Sequence, residues 1–292
     1  MGTFTDVPMS PSVLAMRRCA LGVSVLEDMD IRPHATGLSL PGVRPLRVGW
    51  PEVRRALAGA DPESDAGRAR VAAWLRLRRW VADRHLEELG PHVRPYAVYV
   101  EDADHPGLDW VRVRVLGDTI DVGIGLVGSD PSDLDRVVPL PQRIAELAGL
   151  EAALETWWPS QLVYLERMGA LAVDRMQRDP SPTIRPMGDC DVLTLLASRT
   201  FRAALVDSHD GMRPIAVPTR SRGWLELRAI DPAFALVAAH LATAAERGLP
   251  RPALITREEV VVVRDGGVPV EIVLRDPAPV TKERHLRPVH FR

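Results

Sequence analysis

The sequence predicts an α+β protein with antiparallel sheets. Before residue 90, apolar residues recur mainly at the three- and four-residue spacing of a helix. Between residues 96 and 127 the pattern changes to alternating and β-branched runs, and from residue 190 helical segments alternate with pairs of short strands. Short turns between strands favour antiparallel pairing, because parallel strands need a long crossover.

Length and composition are those of an ordinary globular chain. The 292 residues are enough for one large domain or two small ones. A hydrophobic fraction of 46% with 26% charged residues excludes intrinsic disorder, collagen and coiled coil. The two cysteines, Cys19 and Cys190, are too few for a disulfide scaffold or a metal site of four thiolates.

A helical lobe with an antiparallel β-meander is predicted for residues 1–178. Ser10-Pro11 is a strong helix start, because a hydroxyl caps the helix and proline fits its first position. Residues 29–50 contain several prolines and are predicted to be irregular. The predicted helices run from Ser10-Pro11 to about residue 28 and over 51–59, 64–89, 141–155 and 159–178, and the predicted strands over 96–100, 110–116 and 119–127.

A second lobe is predicted for residues 187–292, after a segment with three prolines between Asp179 and Pro186. Its order is helix, hairpin, helix, hairpin, which predicts a two-layer αββαββ arrangement. The elements are 190–206, 213–230, 232–247 and 258–275, the last with a turn at Asp265-Gly266-Gly267. Residues 275–292 form a tail with five basic and two acidic residues.

Residue usage and hydropathy predict a soluble bacterial protein of the cytoplasm. Lys282 is the single lysine, asparagine is absent, and this arginine-rich usage is typical of a GC-rich bacterial genome. Arg17 and Arg18 interrupt the apolar stretch near the N-terminus, which argues against a signal peptide. The longest mostly apolar run, 234–245, is too short to span a membrane, so no membrane association is expected.

The string Gly123-Ile124-Gly125-Leu126-Val127-Gly128 matches the G-x-G-x-x-G pattern of dinucleotide-binding loops. Its context does not fit, because the preceding strands are predicted to be antiparallel and three aspartates follow it. The glycines are therefore predicted to lie in a strand that packs closely on a neighbour. No cofactor is expected.

Residues 101–135 carry nine acidic residues against two arginines. Asp102, Asp104 and His105 could contribute metal ligands, but a metal needs at least three that converge. A solvated acidic loop is the favoured interpretation, and a docking surface for a basic partner is the alternative. No metal site is predicted.

Residues 44–84 have the opposite bias, with ten arginines against five acidic residues. Nucleic-acid binding through Arg76, Arg78, Arg79 and Arg84 is one hypothesis. It is disfavoured, since the nearby tryptophans fall at expected core positions and the formal net charge of the chain is -2. The two opposite biases could also neutralise each other, within the chain or between copies.

A catalytic interpretation uses residues after the helix at 190–206. His209 would act as a base oriented by Asp207 or Asp210, and an anionic substrate would be held by Arg213, Arg220 and Arg222 in a cleft between the lobes. Simpler roles are a helix C-terminal cap for His209 and an exposed hairpin tip for the arginines. Cys190 is a weaker candidate nucleophile, because flanking aspartates oppose its ionisation.

The favoured function is that of a non-catalytic partner-binding accessory protein: an adaptor, an assembly component or a chaperone-like protein. It would bind a protein partner or another copy of itself through an apolar surface, segregated charge and the basic tail. Arg284, Arg287 and Phe291 are the predicted partner-binding residues of that tail. The alternative is an enzyme that acts on an anionic small molecule.

Overall fold

The structure is a computed structural model that describes residues 10–42, 44–102, 105–207, 209–225 and 246–262. The chain divides into two compact units. The first unit comprises residues 1–92, 126–138 and 144–151, and the second comprises 93–125, 139–143 and 152–292. The lobe boundary expected between residues 178 and 187 remains a prediction.

Helices account for much of the part of the chain that the structure describes. They are α1 (Pro11–Leu26), α2 (Trp50–Leu57), α3 (Asp65–Ala82), α4 (Leu86–Leu89), α5 (Gln142–Leu147), α6 (Glu151–Arg178), α7 (Val192–Leu195) and α8 (Arg199–Val206). The helices predicted near residues 10–28 and 51–59 correspond to α1 and α2.

The strands of the described residues form three sheets, which confirms the α+β class with antiparallel pairing. The strands are β1 (Arg32–Pro33), β2 (Gly37–Leu40), β3 (Leu46–Gly49), β4 (Val93–Tyr99), β5 (Arg112–Leu116), β6 (Ile120–Val127), β7 (Val137–Pro139), β8 (Thr183–Ile184), β9 (Met212–Thr219), β10 (Arg222–Trp224), β11 (Ala253–Thr256) and β12 (Val260–Val262). The sheet orders are β1-β2-β3, β4-β6-β5 with β7 paired to β6, and β12-β11-β9-β10-β8.

The core of the first unit lies between α1, α2, α3 and the sheet β1-β2-β3. The Ser10 hydroxyl accepts from the Val13 backbone N–H and caps α1, as the sequence predicts. One side of α1 is buried, at positions three and four residues apart, and packs on α3. The buried residues of α1 are Met16, Cys19, Ala20 and Val23.

The prediction that residues 29–50 are irregular is wrong, because this segment forms the sheet β1-β2-β3. Gly37 pairs with Gly49, and a side chain on Gly37 would collide with the Val48 carbonyl oxygen at 2.0 Å. Pro33 lies in the edge strand β1, where the missing N–H of proline is tolerated. Proline content alone therefore does not exclude short strands.

Two predicted helices have different boundaries. The helix expected over 64–89 ends at Ala82, and a new turn begins after His85, whose N–H donates to the Glu88 carboxylate at 2.7 Å. The boundary expected before Pro159 is also wrong. The chain turns instead at Gly149, with a φ of +67°, and Pro159 lies inside α6, where it removes one N–H donor while the helix continues on both sides.

The expected β-meander has a different strand order, because β6 lies between β4 and β5. Strands β4 and β5 are therefore consecutive in the chain but are not neighbours in the sheet. The tight turn between β5 and β6 is confirmed. Gly117 and Asp118 both have positive φ values, +57° and +52°, and the Thr119 N–H donates to the Leu116 carbonyl oxygen at 3.0 Å, which closes the turn.

The helix predicted over 190–206 is divided in two, because a second capping residue restarts it. Asp191 accepts from the Thr194 N–H and begins α7, and the Ser198 hydroxyl accepts from the Phe201 N–H and begins α8. The proline-rich segment 179–186 contains β8, which pairs with β10. Strand β11 is absent from the sequence prediction.

The αββαββ arrangement cannot be followed to its end. The helix predicted over 232–247 lies almost entirely outside the described residues, and the Asp265-Gly266-Gly267 turn lies wholly outside them.

A carboxylate from α6 holds the first turn of α8. Glu166 accepts from the Arg199 N–H at 2.8 Å and from the Thr200 N–H at 2.9 Å, and it also accepts from the Ser198 hydroxyl at 2.9 Å. Burial by itself would raise the pKa of Glu166, but these donors outweigh it and the pKa is lowered. The positive end of the α8 helix dipole also stabilises the negative charge of Glu166.

We predict that Glu166→Gln lowers the free energy of unfolding at neutral pH by about 1–3 kcal/mol, because a neutral amide accepts these bonds less well. The folded pKa lies below the unfolded value of about 4.5. The stabilisation is therefore present above that pH and is lost as the pH falls through the folded pKa. Urea denaturation at neutral pH and well below pH 4.5 measures this, with the exposed Glu155→Gln as control. Equal losses at both pH values would contradict it.

Candidate functional site

The G-x-G-x-x-G string lies in strand β6 and the residue after it, as the sequence analysis expects. A Cβ atom on Gly123 would lie 2.4 Å from the Val111 carbonyl oxygen and 2.7 Å from the Trp110 indole. Glycine is required there by close packing of a neighbouring segment. A dinucleotide-binding loop instead opens a helix directly after a strand.

The acidic segment contains a buried carboxylate. Asp121 on β6 is 1% exposed, and its Oδ2 accepts from the Arg112 guanidinium on the neighbouring strand β5. His105 Nε2 lies 3.2 Å from the same oxygen, and Trp110 packs edge-on against the imidazole with ring centres 5.8 Å apart. The favoured picture of a wholly solvated loop is therefore wrong for these residues, because the fold draws them into its interior.

His105 is held in one tautomer. The Gly107 N–H donates to Nδ1 at 2.9 Å, so the proton of the neutral ring lies on Nε2, which faces Asp121. Burial lowers the pKa of His105, and Arg112 adds to this, while Asp121 opposes it. The Nδ1 lone pair is therefore already used by a backbone N–H of this chain.

Two further ion pairs extend this buried polar cluster. Arg247 donates to Asp102 at 3.0 Å. Arg220 donates to Asp191 at 2.6 Å and stacks over the Tyr96 ring at 4.4 Å. Burial would lower the pKa of Arg220, but Asp191, Tyr96 and Asp102 outweigh it and raise the pKa. Each arginine is thus matched by a carboxylate inside the second unit.

The three arginines predicted to hold an anion do not come together. Arg213 lies near the start of β9 and Arg220 directly after its end, about 23 Å apart at strand spacing. Arg222 is exposed and lies over the Trp224 ring at 5.9 Å. The expectation of an exposed hairpin tip holds for Ser221 and Arg222 but not for Arg220, which is buried against Asp191.

His209, Asp207 and Asp210 lie in the exposed turn between α8 and β9. The backbone N–H groups of His209 and Gly211 donate to the Val206 carbonyl at 2.9 and 3.2 Å, so backbone groups close the end of α8. Asp207 forms an ion pair with Arg257. Catalytic roles for these residues remain a prediction.

Both cysteines are buried. Burial raises the pKa of Cys190 strongly, and the neighbouring Asp191 and Asp189 raise it further. Burial also raises the pKa of Cys19. A cysteine nucleophile must be a thiolate, so the structure argues against Cys190 in that role.

Within the described residues, no group of three or more His, Cys, Asp or Glu side chains could hold a metal ion.

The arginines considered for nucleic-acid contact are engaged inside the first unit. Three of them form ion pairs with carboxylates of this chain, and the fourth stacks on a tryptophan ring. The pairs are Arg76–Glu27, Arg78–Glu52 and Arg79–Asp83, and Arg84 lies 3.7 Å from the centre of the Trp80 ring. The positive charge of this segment is therefore largely used to hold the unit together.

Helix α1 carries a second apolar stripe, on the side opposite its buried residues. Leu14, Arg18, Leu21 and Val25 follow one another at intervals of 4, 3 and 4 residues, which places them on one side of a helix. Leu14, Leu21 and Val25 are 38%, 46% and 82% exposed. These four residues are the outer stripe. A helix that is apolar on both sides is usually covered on both sides.

Sequence reasoning misses the outer stripe, because it treats residues 13–26 as one apolar run broken by Arg17 and Arg18. When these residues are placed on a helix of 3.6 residues per turn, the apolar ones fall into two stripes. The pattern does not say which stripe faces the core, because that depends on how α1 packs on α3.

The predicted tail residues Arg284, Arg287 and Phe291 lie outside the described residues. No helix within the described residues is long and apolar enough to cross a bilayer.

No protein-family model, no curated protein and no solved structure matches the chain.

We predict that Gly123→Ala lowers the free energy of unfolding by roughly 3 kcal/mol, because the new methyl group collides with backbone as well as with an indole ring. Gly149→Ala is the control, since its site is open and only its positive φ is strained, at a cost of about 1 kcal/mol. Chemical denaturation of both variants measures the difference. An unchanged stability of Gly123→Ala would refute the packing role.

We also predict that Arg78→Gln costs about 3–5 kcal/mol of unfolding free energy, because it removes the guanidinium that pairs with the buried Glu52 carboxylate and donates to the Arg47 carbonyl oxygen. Arg55→Gln, at an exposed position of α2, should change stability by less than about 0.5 kcal/mol. Thermal or chemical unfolding distinguishes the two variants. Similar small effects for both would show that Arg78 has no structural role.

Proposed function

We propose that this protein is a non-catalytic, partner-binding accessory protein that docks on another polypeptide chain through the outer stripe of α1. The observation that carries the proposal is the exposure of three aliphatic side chains on one side of a helix whose opposite side is already buried. Covering a large aliphatic side chain contributes roughly 1.5–3 kcal/mol when burial is complete. Leu14 and Leu21 are already partly covered, so Val25, at 82% exposure, would contribute most to an anchor.

The partner's contact surface should itself be apolar, with polar or acidic groups at its margin. Arg18 interrupts the outer stripe and Arg17 flanks it, so a docked surface must accommodate two guanidinium groups. Arg18 forms an exposed ion pair with Glu63 at 2.9 Å, so a docked surface also meets this carboxylate. The arginines would set the register of the complex, and the leucine and valine side chains would provide its affinity.

The chemistry of the second unit is consistent with a role other than catalysis. Three of its carboxylates pair with arginines of the same unit: Asp121 with Arg112, Asp191 with Arg220 and Asp102 with Arg247. The basic tail, with Arg284, Arg287 and Phe291, is a second proposed contact. Its charge would complement an acidic surface on the same partner.

We predict that a photo-reactive benzoylphenylalanine at position 25 forms an intermolecular adduct in the source cell. The adduct should be lost when Leu14→Ser and Leu21→Ser are introduced together, because the anchor is then removed. The same probe at Val163, which is 70% exposed on α6, is the matched control. Mass spectrometry identifies the cross-linked products.

Two results would refute the proposed function. One is an adduct yield at position 25 no higher than at position 163. The other is a product with the mass of a single chain, which would show that the chain's own residues cover the outer stripe. Unchanged thermal unfolding of the Leu14→Ser, Leu21→Ser variant would confirm that a lost adduct is not due to misfolding.

A further inference from the structure

We infer that the outer edge of strand β8 is a docking site for an extended peptide of a partner protein, in which a small aliphatic residue is followed by an acidic one. The site lies in the second unit, so the inference goes beyond the outer stripe and does not depend on it. Among the described strands, β8 lies at one end of the five-stranded sheet and pairs with β10 alone. The edge of a sheet can accept an added strand.

The alternation of hydrogen bonds along β8 shows which backbone groups point outward. The Leu225 N–H donates to the Pro182 carbonyl oxygen at 2.7 Å. Ile184 lies two residues further along in the same register, so it also exchanges hydrogen bonds with β10. Thr183, between these two residues, and Arg185, directly after them, therefore direct their N–H and C=O groups away from β10.

The outward groups fit a parallel strand better than an antiparallel one. The Thr183 N–H already donates to the Ser181 hydroxyl at 3.2 Å, so Thr183 cannot exchange the two bonds that an antiparallel neighbour needs. The Thr183 carbonyl oxygen and the Arg185 N–H have no hydrogen-bond partner among the described residues. In a parallel arrangement one peptide residue satisfies both, because its N–H donates to Thr183 and its C=O accepts from Arg185.

A small crevice lies directly beside that position. It lies between the C-terminal part of α6 and residues 181–185, and it holds about 40 Å³. Ala172, Met176 and Ile184 are its apolar lining residues. The bonded peptide residue lies opposite Ile184, and residues opposite each other in a sheet have side chains on the same face, so its side chain enters the crevice. A space of this size accommodates alanine or valine and excludes an aromatic ring.

Three exposed arginines near this edge have no carboxylate partner within the described residues. Arg175 and Arg185 line the crevice, and Arg222 of β10 lies opposite Arg185 when the register of the two strands continues by one pair. Like charges directly opposite each other are destabilising, so an acidic side chain beside them is favoured. The peptide residue after the buried one projects on the face of Arg185. Asp179 is the single carboxylate of the lining, so positive charge is in excess.

These features predict a weak and selective complex. One bonded peptide residue, one small buried side chain and one ion pair are expected to give a dissociation constant of about 0.1–1 mM. The test adds the synthetic hexapeptide TTVETT to the full chain labelled with ¹⁵N. Amide NMR should show a saturable shift of the Arg185 N–H, which is the proposed donor, and no shift at Val163, which is exposed on α6.

Charge reversal tests the recognition of the acidic residue. Arg185→Glu should weaken the binding of TTVETT about tenfold or more and should give TTVKTT the higher affinity, because the sign of the contact is then inverted. Arg167→Glu, at an exposed position of α6 outside the crevice lining, is the matched control and should leave both affinities unchanged. The peptide TTWETT should not bind, since the crevice cannot hold the indole ring.

A nitroxide label at the N-terminus of TTVETT reports the direction of the added strand. It should broaden the Leu225 amide more than the Met187 amide, because Leu225 lies opposite the beginning of β8 and Met187 lies beyond its end. The reverse pattern would overturn the parallel arrangement. The absence of a saturable shift up to about 5 mM peptide, or equal affinities for TTVETT and TTVKTT, would overturn the docking site and leave the proposed function standing.

Discussion

An arginine side chain keeps its positive charge at any pH that a protein meets, so a guanidinium group that enters an interior must find carboxylates, carbonyl oxygens or aromatic faces there. This constraint organises much of the molecule, because all but one of its basic residues are arginine. Arg220 is buried against Asp191 and Tyr96, and Arg78 against Glu52. Arg202, fully buried in the core of the second unit, donates to the carbonyl oxygens of Leu196 and Arg257.

The same constraint changes the meaning of the charged segments. An excess of arginine over residues 44–84 and of carboxylates over 101–135 would suggest two interaction surfaces. In the structure, many of these charges are paired inside their own unit, as in Arg76 with Glu27 and Arg112 with Asp121. Such pairs give structural specificity rather than free charge, and breaking one costs more than its formation contributes.

The proposed interaction uses apolar surface. Helix α1 uses Met16, Cys19, Ala20 and Val23 to build the core of the first unit and keeps a second set of apolar side chains on its opposite side. Exposed aliphatic groups in a row are a cost in water, so their arrangement along one helix face is the feature that a binding role explains best. Arg17 and Arg18 reduce the risk of unspecific association, since an apolar partner would have to desolvate them.

Local signals determined what the sequence could predict. The serine cap of α1, the Gly117-Asp118 turn and the tight packing of Gly123 depend on a few neighbouring residues or on one backbone conformation, and they are found as predicted. Helix ends were harder, because Ser198 restarts a helix and Pro159 fails to stop one.

Tertiary structure alone decided the rest. The position of β6 between β4 and β5, the carboxylate partner of each arginine, and the side of α1 that faces water all depend on residues far apart in the chain. A period of 3.6 residues shows that a helix has two apolar sides, but only the neighbour that packs against it determines which one is buried.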